Sequence, residues 1–272
     1  MRLAIHHLTR YDFDKPVTYG LQRLRLTPKS TSGQRVVEWR MAVEGARVEA
    51  EYEDQNHNRT TLISVTPQTR ELTVTCAGVV ETDDNAGVIG RHAGHLPLWH
   101  FLGDTPATAP GPRMRALVAG VGSGGDILPR LHSLSAAVLA AVEYQTGHTD
   151  ADTTAEVALG AARGVCQDHA QIFLGCARLL GIPARYVSGY LMMNDRVEQE
   201  AGHAWAEAHV DGLGWVGFDV SNGISPDSRY VRVATGRDYS EAAPVTGISF
   251  GARDRALHVR LVVEQQHAGG EQ

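Results

Sequence analysis

Three short segments carry side chains suited to acyl transfer: Gly164-Val165-Cys166-Gln167-Asp168-His169-Ala170, His203-Ala204-Trp205-Ala206-Glu207 and Gly214-Trp215-Val216-Gly217-Phe218-Asp219. A thiol, a histidine and an aspartate supply a nucleophile, a general acid/base and a carboxylate that orients it. An apolar face at Ala170, Phe173, Leu174, Ala177 and Leu180 predicts a helix that opens at Cys166 and stops at Gly181, with Pro183 just beyond. Cys166 then sits in the first turn of that face, where a helix N-terminus favours a thiolate and its own N–H is free for an oxyanion. A single cysteine taken alone is more often buried and inert. Cys176, in mid-helix, and Cys76, in a strand, fit that description; only Cys166 has the helix-start position.

The partners follow from parity. In 203–210 the even positions are Ala204, Ala206, Ala208 and Val210; in 215–220 they are Val216, Phe218 and Val220. Two strands joined across 211–214 and burying these faces together must pair even with even. His203, Trp205, Glu207 and Asp219 then share the opposite face, where Asp219 can accept from the imidazole and fix its tautomer. An isolated histidine on a polar face would more often be incidental; the cysteine and aspartate in the same chain tip the balance. Glu207 and Asp168 read equally well as supporting groups or as solvated carboxylates.

The elements needed to position these residues are legible in outline. Between residues 2 and 81, short runs of β-formers (3–11, 19–26, 35–43, 60–65 and 71–79) alternate with turn residues, which predicts an antiparallel β-sandwich. Gly, Pro, Ala and Asp crowd residues 82–129, with the clearest break at 104–112, so a boundary is placed near residue 108: a β-rich domain over 1–108 and a core over 109–272. Helices are expected over 113–121, over 131–144, and from about 152, where Thr153 and Glu156 have capping-box spacing. After the cysteine helix come strands at 185–191, 203–210, 215–220, 230–234 and 257–264, the last assigned to the core. Helices before strands make this second domain α+β.

Composition removes several function classes. At 272 residues and 43% apolar the chain can bury a sizeable core. A net charge of -6 without a basic block argues against nucleic acid. The first residues lack the apolar run of a signal peptide and no stretch approaches the ~20 residues of a membrane span, so a cytoplasmic protein without a membrane partner is expected. Three cysteines are too few for a disulfide framework or CxxC zinc site. The histidine pairs, including His6 and His7, His92 and His95, and His203 and His209, lack metal-ligand spacing, so no metal is expected; His92 and His95, in a Gly-rich loop, read as surface residues.

At these residues the chain resembles the transglutaminase-like cysteine peptidase superfamily, specifically bacterial proteins with a β-rich transglutaminase N-terminal region. The likeness is carried by 164–170, by Gly181-Ile182-Pro183-Ala184-Arg185-Tyr186-Val187-Ser188-Gly189-Tyr190, by His203-Ala204-Trp205 and by 214–223, with Gln22-Arg23-Leu24-Arg25-Leu26-Thr27-Pro28 and 231–239 in support. It implies an N-terminal sandwich before a papain-like core with a cysteine helix on an antiparallel sheet, Cys166 as nucleophile, His203 as general acid/base, Asp219 as its orienter, and a thioester on Cys166 formed from a peptide or protein substrate. Water as acceptor makes the protein a protease or amidase; an amine makes it a transglutaminase or ligase; a scaffold that keeps the fold without catalysis is the rival of another class. No cofactor is implied and no calcium-binding pattern occurs. Gly202 stands where Ser is common and Val220-Ser221 where Pro-Thr is common; neither is expected to touch the triad. For the second oxyanion donor, Trp99 and Tyr144 are the candidates. The oligomeric state is left open.

Overall fold

The computed structural model describes residues 1–122, 124–251 and 254–266. The first six strands are β1 (Arg2–Phe13), β2 (Tyr19–Thr27), β3 (Gln34–Glu44), β4 (Ala46–Glu53), β5 (Arg59–Val65) and β6 (Glu71–Thr82), followed by β7 (Val88–Gly90) and a 3-10 turn at Leu98–Leu102. Helices α1 (Pro112–Val121) and α2 (Ile127–Ala141) lead through β8 (Glu143–Tyr144) to α3 (Ala155–Ala161), β9 (Arg163–Gly164) and α4 (Cys166–Leu179). The chain continues as β10 (Ala184–Leu191), β11 (Glu198–Gln199), β12 (His203–Val210), β13 (Gly214–Phe218), β14 (Tyr230–Gly236), α5 (Tyr239–Ala242), β15 (Val245–Phe250) and β16 (Asp254–Gln265).

Two sheets, in the orders β11-β16-β1-β6-β3 and β15-β2-β5-β4, form the sandwich. Its core is built by alternation: Tyr11 and Phe13 of β1 meet Leu24, Ile63, Leu72 and Val74 from both sheets. The last two strands differ from the sequence assignment to the core. β15 pairs antiparallel with β2 and β16 with β1 along its whole length, so both complete the N-terminal sandwich. Burial supplies the reason, because Leu261 and Val263 lie with Leu3, Ile5 and Val80 in one apolar cluster. The sandwich is thus closed by the two ends of the chain.

The third sheet, β14-β10-β12-β13-β7, is covered on both faces. On one side Ala204, Ala206, Ala208, Val216 and Phe218 pack with Ala170, Phe173 and Ala177 of α4 and with Leu131 and Leu134 of α2. On the other lies the sandwich. Side-chain amides dock the two by imitating strand pairing: Gln34 exchanges two hydrogen bonds with the Arg232 backbone (2.8 and 2.7 Å), and Asn58 two with that of Thr235 (2.8 and 2.9 Å).

Local signals behave as physical chemistry requires, with one exchange of partners. Gly181 takes φ +74°, the left-handed turn that ends α4. Thr154, not Thr153, caps α3. Glu156 turns away from its own helix and accepts from the N–H groups of Arg113 and Met114 (2.9 and 3.1 Å), donors at the start of α1 that Pro112 leaves for a side chain to satisfy.

Candidate active site

Cys166 is the first residue of α4, half-buried at the edge of the helix–sheet core. Asp168 holds this end of the helix: its Oδ2 accepts from the Val165 N–H and from the Thr149 hydroxyl, both at 2.7 Å. The carboxyl is buried, which pushes its pKa up against those two bonds. Asp168 is therefore a cap for the turn that carries Cys166 and not a solvated carboxylate.

The hairpin has the register that parity demands, with Ala206 opposite Phe218, Ala208 opposite Val216 and Val210 opposite Gly214. His203, at the start of β12, and Asp219, one residue past β13, meet through Nε2 and Oδ2 at 2.6 Å. Nε2 being taken, Nδ1 is the ring nitrogen left for Cys166, which lies near enough to raise the His203 pKa. Burial pulls the His203 pKa down, but the bond to Asp219, the nearness of Cys166 and both charges overcome it and push it up to about 10. The imidazole is therefore an imidazolium at neutral pH. Asp219 is fully buried; burial opposes its charge, yet His203, Tyr230 and Asn222 hold its pKa down to about 2.

Sequence reasoning missed the remaining donors on that carboxylate. Oδ2 also accepts from the Tyr230 hydroxyl and from Asn222 Nδ2, each at 2.7 Å; Oδ1 accepts from Ser221 Oγ at 2.8 Å and from the Asn222 N–H at 3.2 Å. Ser221 thus does touch the Asp219 carboxylate, contrary to expectation. The turn after Asp219, closed by a bridge to Ile224, folds back over it and brings both side chains within reach. Asx-type turns were the signal available at Ser221-Asn222; nothing local announced Tyr230, which arrives from β14.

Of the two candidates for a second oxyanion donor, the structure brings one to the site. Parallel pairing of β8 with β9 sets Tyr144 beside Gly164, its ring stacked on His169 at 6.2 Å. Burial, and next the neighbouring Cys166, raise its pKa to about 12, so the phenol keeps its proton. Trp99 is 71% exposed, in the 3-10 turn whose Phe101 carbonyl accepts from Arg178. Arg178 is twelve residues along α4 from Cys166, about 18 Å of helix, so Trp99 stands at the wrong end.

Glu207 shares a sheet face with His203 but is no solvated carboxylate. Fully buried, it binds Arg185 Nε (2.6 Å) and Arg232 Nε and Nη2 (2.7 and 3.1 Å). His92 is not a plain surface residue either: half-buried, it accepts from Trp215 Nε1 at 3.0 Å, whereas His95 is exposed. Among the described residues no three His, Cys, Asp or Glu side chains converge as a metal set, and no helix is long and apolar enough to cross a membrane.

A helix carrying a cysteine at its first residue, laid on an antiparallel sheet whose strands bring a histidine and an aspartate to it, defines the class: an α+β protein with a papain-like arrangement of thiol, imidazole and carboxylate. The chain belongs to the transglutaminase-like superfamily, a family of thiol-dependent enzymes. Residues 115–220 match the model of the transglutaminase-like superfamily and residues 3–81 that of the bacterial transglutaminase-like N-terminal region. An uncharacterized protein of Mycobacterium leprae is 32% identical over 97% of this chain and 98% of its own. Another, from Mycobacterium tuberculosis, is 28% identical over 92% of this chain and 88% of its own. The fold is shared with the crystal structure of "a putative cysteine protease" from Cytophaga hutchinsonii, at a TM-score of 0.79 and 22% identity, covering 98% of this chain and 92% of that one.

Proposed function

We propose that the protein hydrolyses a peptide or carboxamide bond through a thioester on Cys166. The observation that carries this reading is the position of His203, hydrogen-bonded to Asp219 through Nε2 and near enough to Cys166 for that residue to raise its pKa. Cys166 reacts as the thiolate, its proton passed to His203, and the sulfur adds to the carbonyl carbon. The developing oxyanion is met by the Cys166 N–H at the start of α4, with Tyr144 as the second donor. Collapse breaks the C–N bond; His203 gives its proton to the departing amine and becomes the base that takes a proton from water. The resulting hydroxide attacks the thioester, releases the acid and restores the thiolate–imidazolium pair. Asp219 stays ionised throughout and fixes the ring. Water is the favoured acceptor because it needs no binding site.

The test is to incubate the protein with a library of peptides and peptide amides, with and without hydroxylamine, and to follow intact mass. An acyl adduct on Cys166 that hydroxylamine releases as a hydroxamate supports the thioester. Turnover in water alone supports hydrolysis, and turnover only with an added amine reassigns the protein to transamidation. Activity that survives Cys166→Ser overturns the thioester on Cys166, and neither adduct nor turnover with any peptide counts for the non-catalytic scaffold.

A further inference from the structure

A second feature lies on the same sheet face as His203, away from the nucleophile. Glu207 is four residues along β12, roughly 13 Å at strand spacing. Beyond it opens a cavity of about 470 Å³, between residues 29–32, the turn at 56–57, the loop at 89–94 and the third sheet. That volume lies in the range of small-molecule sites and far exceeds the ~30 Å³ share of one water.

The lining is cationic. Lys29, Arg91, Arg185 and Arg232 border the cavity, and among the described residues no Asp or Glu does. The two carboxylates nearest the cluster are already engaged: Glu207 by Arg185 and Arg232, and Asp54 by Arg25 at 2.9 Å, both partners buried. One carboxylate shared by two guanidiniums leaves positive charge uncompensated, and each guanidinium has five N–H donors, more than Glu207 uses. Lys29 spends two of its three donors on the Asn56 and His57 carbonyls (3.0 and 2.9 Å). A neutral donor points the same way. Asn56, only 8% exposed, lines the cavity with its Nδ2 buried and without a partner among the described residues. An unpaired buried donor beside a cationic cavity is costly unless an acceptor arrives.

We propose that this cavity binds a small organic molecule carrying phosphate or carboxylate groups, held by Lys29, Arg91, Arg185, Arg232 and the Asn56 amide. The site is separate from Cys166, so its ligand need not be the substrate. Lys29 reports its charge state: burial first, then Arg232 and Arg185, bring its pKa down to about 7, against Glu207 and Asp54, which raise it. The groups around Lys29 are Arg185 on β10, Glu207 on β12, Arg232 on β14, Asp54 and His57 in the 54–58 turn, and Arg91 in the loop. A bound anion draws the proton back onto Lys29, so affinity declines as the pH rises above 7.

The experiment is titration calorimetry on the full chain with inorganic phosphate and, separately, citrate, each against chloride at equal ionic strength. The two arms separate phosphate from carboxylate recognition. Saturable binding of at least one probe is expected, weakened about tenfold or more by Arg91→Gln, an exposed position where folding is not at stake, and by Lys29→Met, which also flattens the pH dependence. No heat beyond the chloride control for either probe overturns the proposal. So does binding that Arg91→Gln leaves unchanged, whether or not Lys29→Met folds.

Discussion

Replacing Asp219 by Asn changes one atom and should disable the site while sparing the fold. The carboxylate receives hydrogen bonds from His203, Tyr230, Ser221 and twice from Asn222. An amide offers one acceptor oxygen and turns N–H groups toward the remaining donors. The pull of Asp219 and Cys166 together, net of burial, appears in the His203 pKa, held at about 10 against an ordinary 6.5; at 1.36 kcal/mol per pH unit this is ~5 kcal/mol. The share that comes from Asp219 also lowers the Asp219 pKa and is counted once. Without the charge on Asp219, Cys166 is left to oppose burial at His203, and the balance moves toward the neutral ring. The sign for stability follows. Folded His203 keeps its proton to about 10 where the unfolded ring loses it near 6.5, so its contribution is full below pH 6.5 and lost as the pH rises through about 10. Asp219, held at about 2, contributes above 3.8 and fails as the pH falls through 2. Two measurements on Asp219→Asn test this: thermal midpoint against pH, and the iodoacetamide rate at Cys166 by intact mass. The decline in midpoint between pH 6.5 and 10 should shrink, and the rate at pH 7 should fall at least tenfold, below the ceiling set by ~5 kcal/mol because the amide oxygen still accepts from Nε2. Superimposable wild-type and variant profiles would refute the coupling.

Tyr230→Phe removes a hydroxyl donor to a charged carboxylate at 2.7 Å, which should cost about 1.5–3 kcal/mol in urea unfolding; the loss in Cys166 alkylation should be smaller than for Asp219→Asn, because His203 keeps its anion. Cys76 and Cys176 are fully buried, with burial foremost in pushing both thiols up to about 12, so native protein at pH 7 should label at Cys166 alone and Cys166→Ser should abolish native labelling, as peptide mapping can check. Gly175→Ala should destabilise by about 1–3 kcal/mol in denaturant melts, reversing the ~1 kcal/mol gain of Ala over Gly in an open helix, because a Cβ there would stand 2.3 Å from Met114 Cε and 2.4 Å from the Thr108 carbonyl.

What could be read from the sequence was whatever a local period dictates. Even-to-even pairing fixed the hairpin, and the apolar stripe with Gly181 fixed α4, so the Cys166, His203 and Asp219 neighbourhood was legible before any coordinates. Contacts without a period were not. Alternation in 257–264 showed one apolar face but not which sheet would accept it, and β16 went to β1 of the sandwich. β4 passed unnoticed because Arg47-Val48-Glu49-Ala50-Glu51-Tyr52 has no buried face; it is an edge strand, exposed along nearly its whole length. Tyr230 reached Asp219 through the order of strands in the third sheet, and Glu156 served a neighbouring helix, choices made by tertiary packing.

The third sheet is the wall against which both halves of the protein are built, and its two faces solve different problems. Toward α4 it presents Ala204, Ala206 and Ala208, all nearly or fully buried. Side chains this small let the helix pack closely on the strands beneath. Toward the sandwich it carries His203, Trp205 and Glu207, which cannot be left half-wet without losing the orientation of the ring. Trp205 and Tyr230 meet edge to face at 5.4 Å, and His203 lies stacked on Trp205 at 6.3 Å, so aromatic packing restrains the imidazole while Asp219 fixes its tautomer. The sandwich that covers this face, tied down through Gln34 and Asn58, is therefore part of what holds the candidate active site in place.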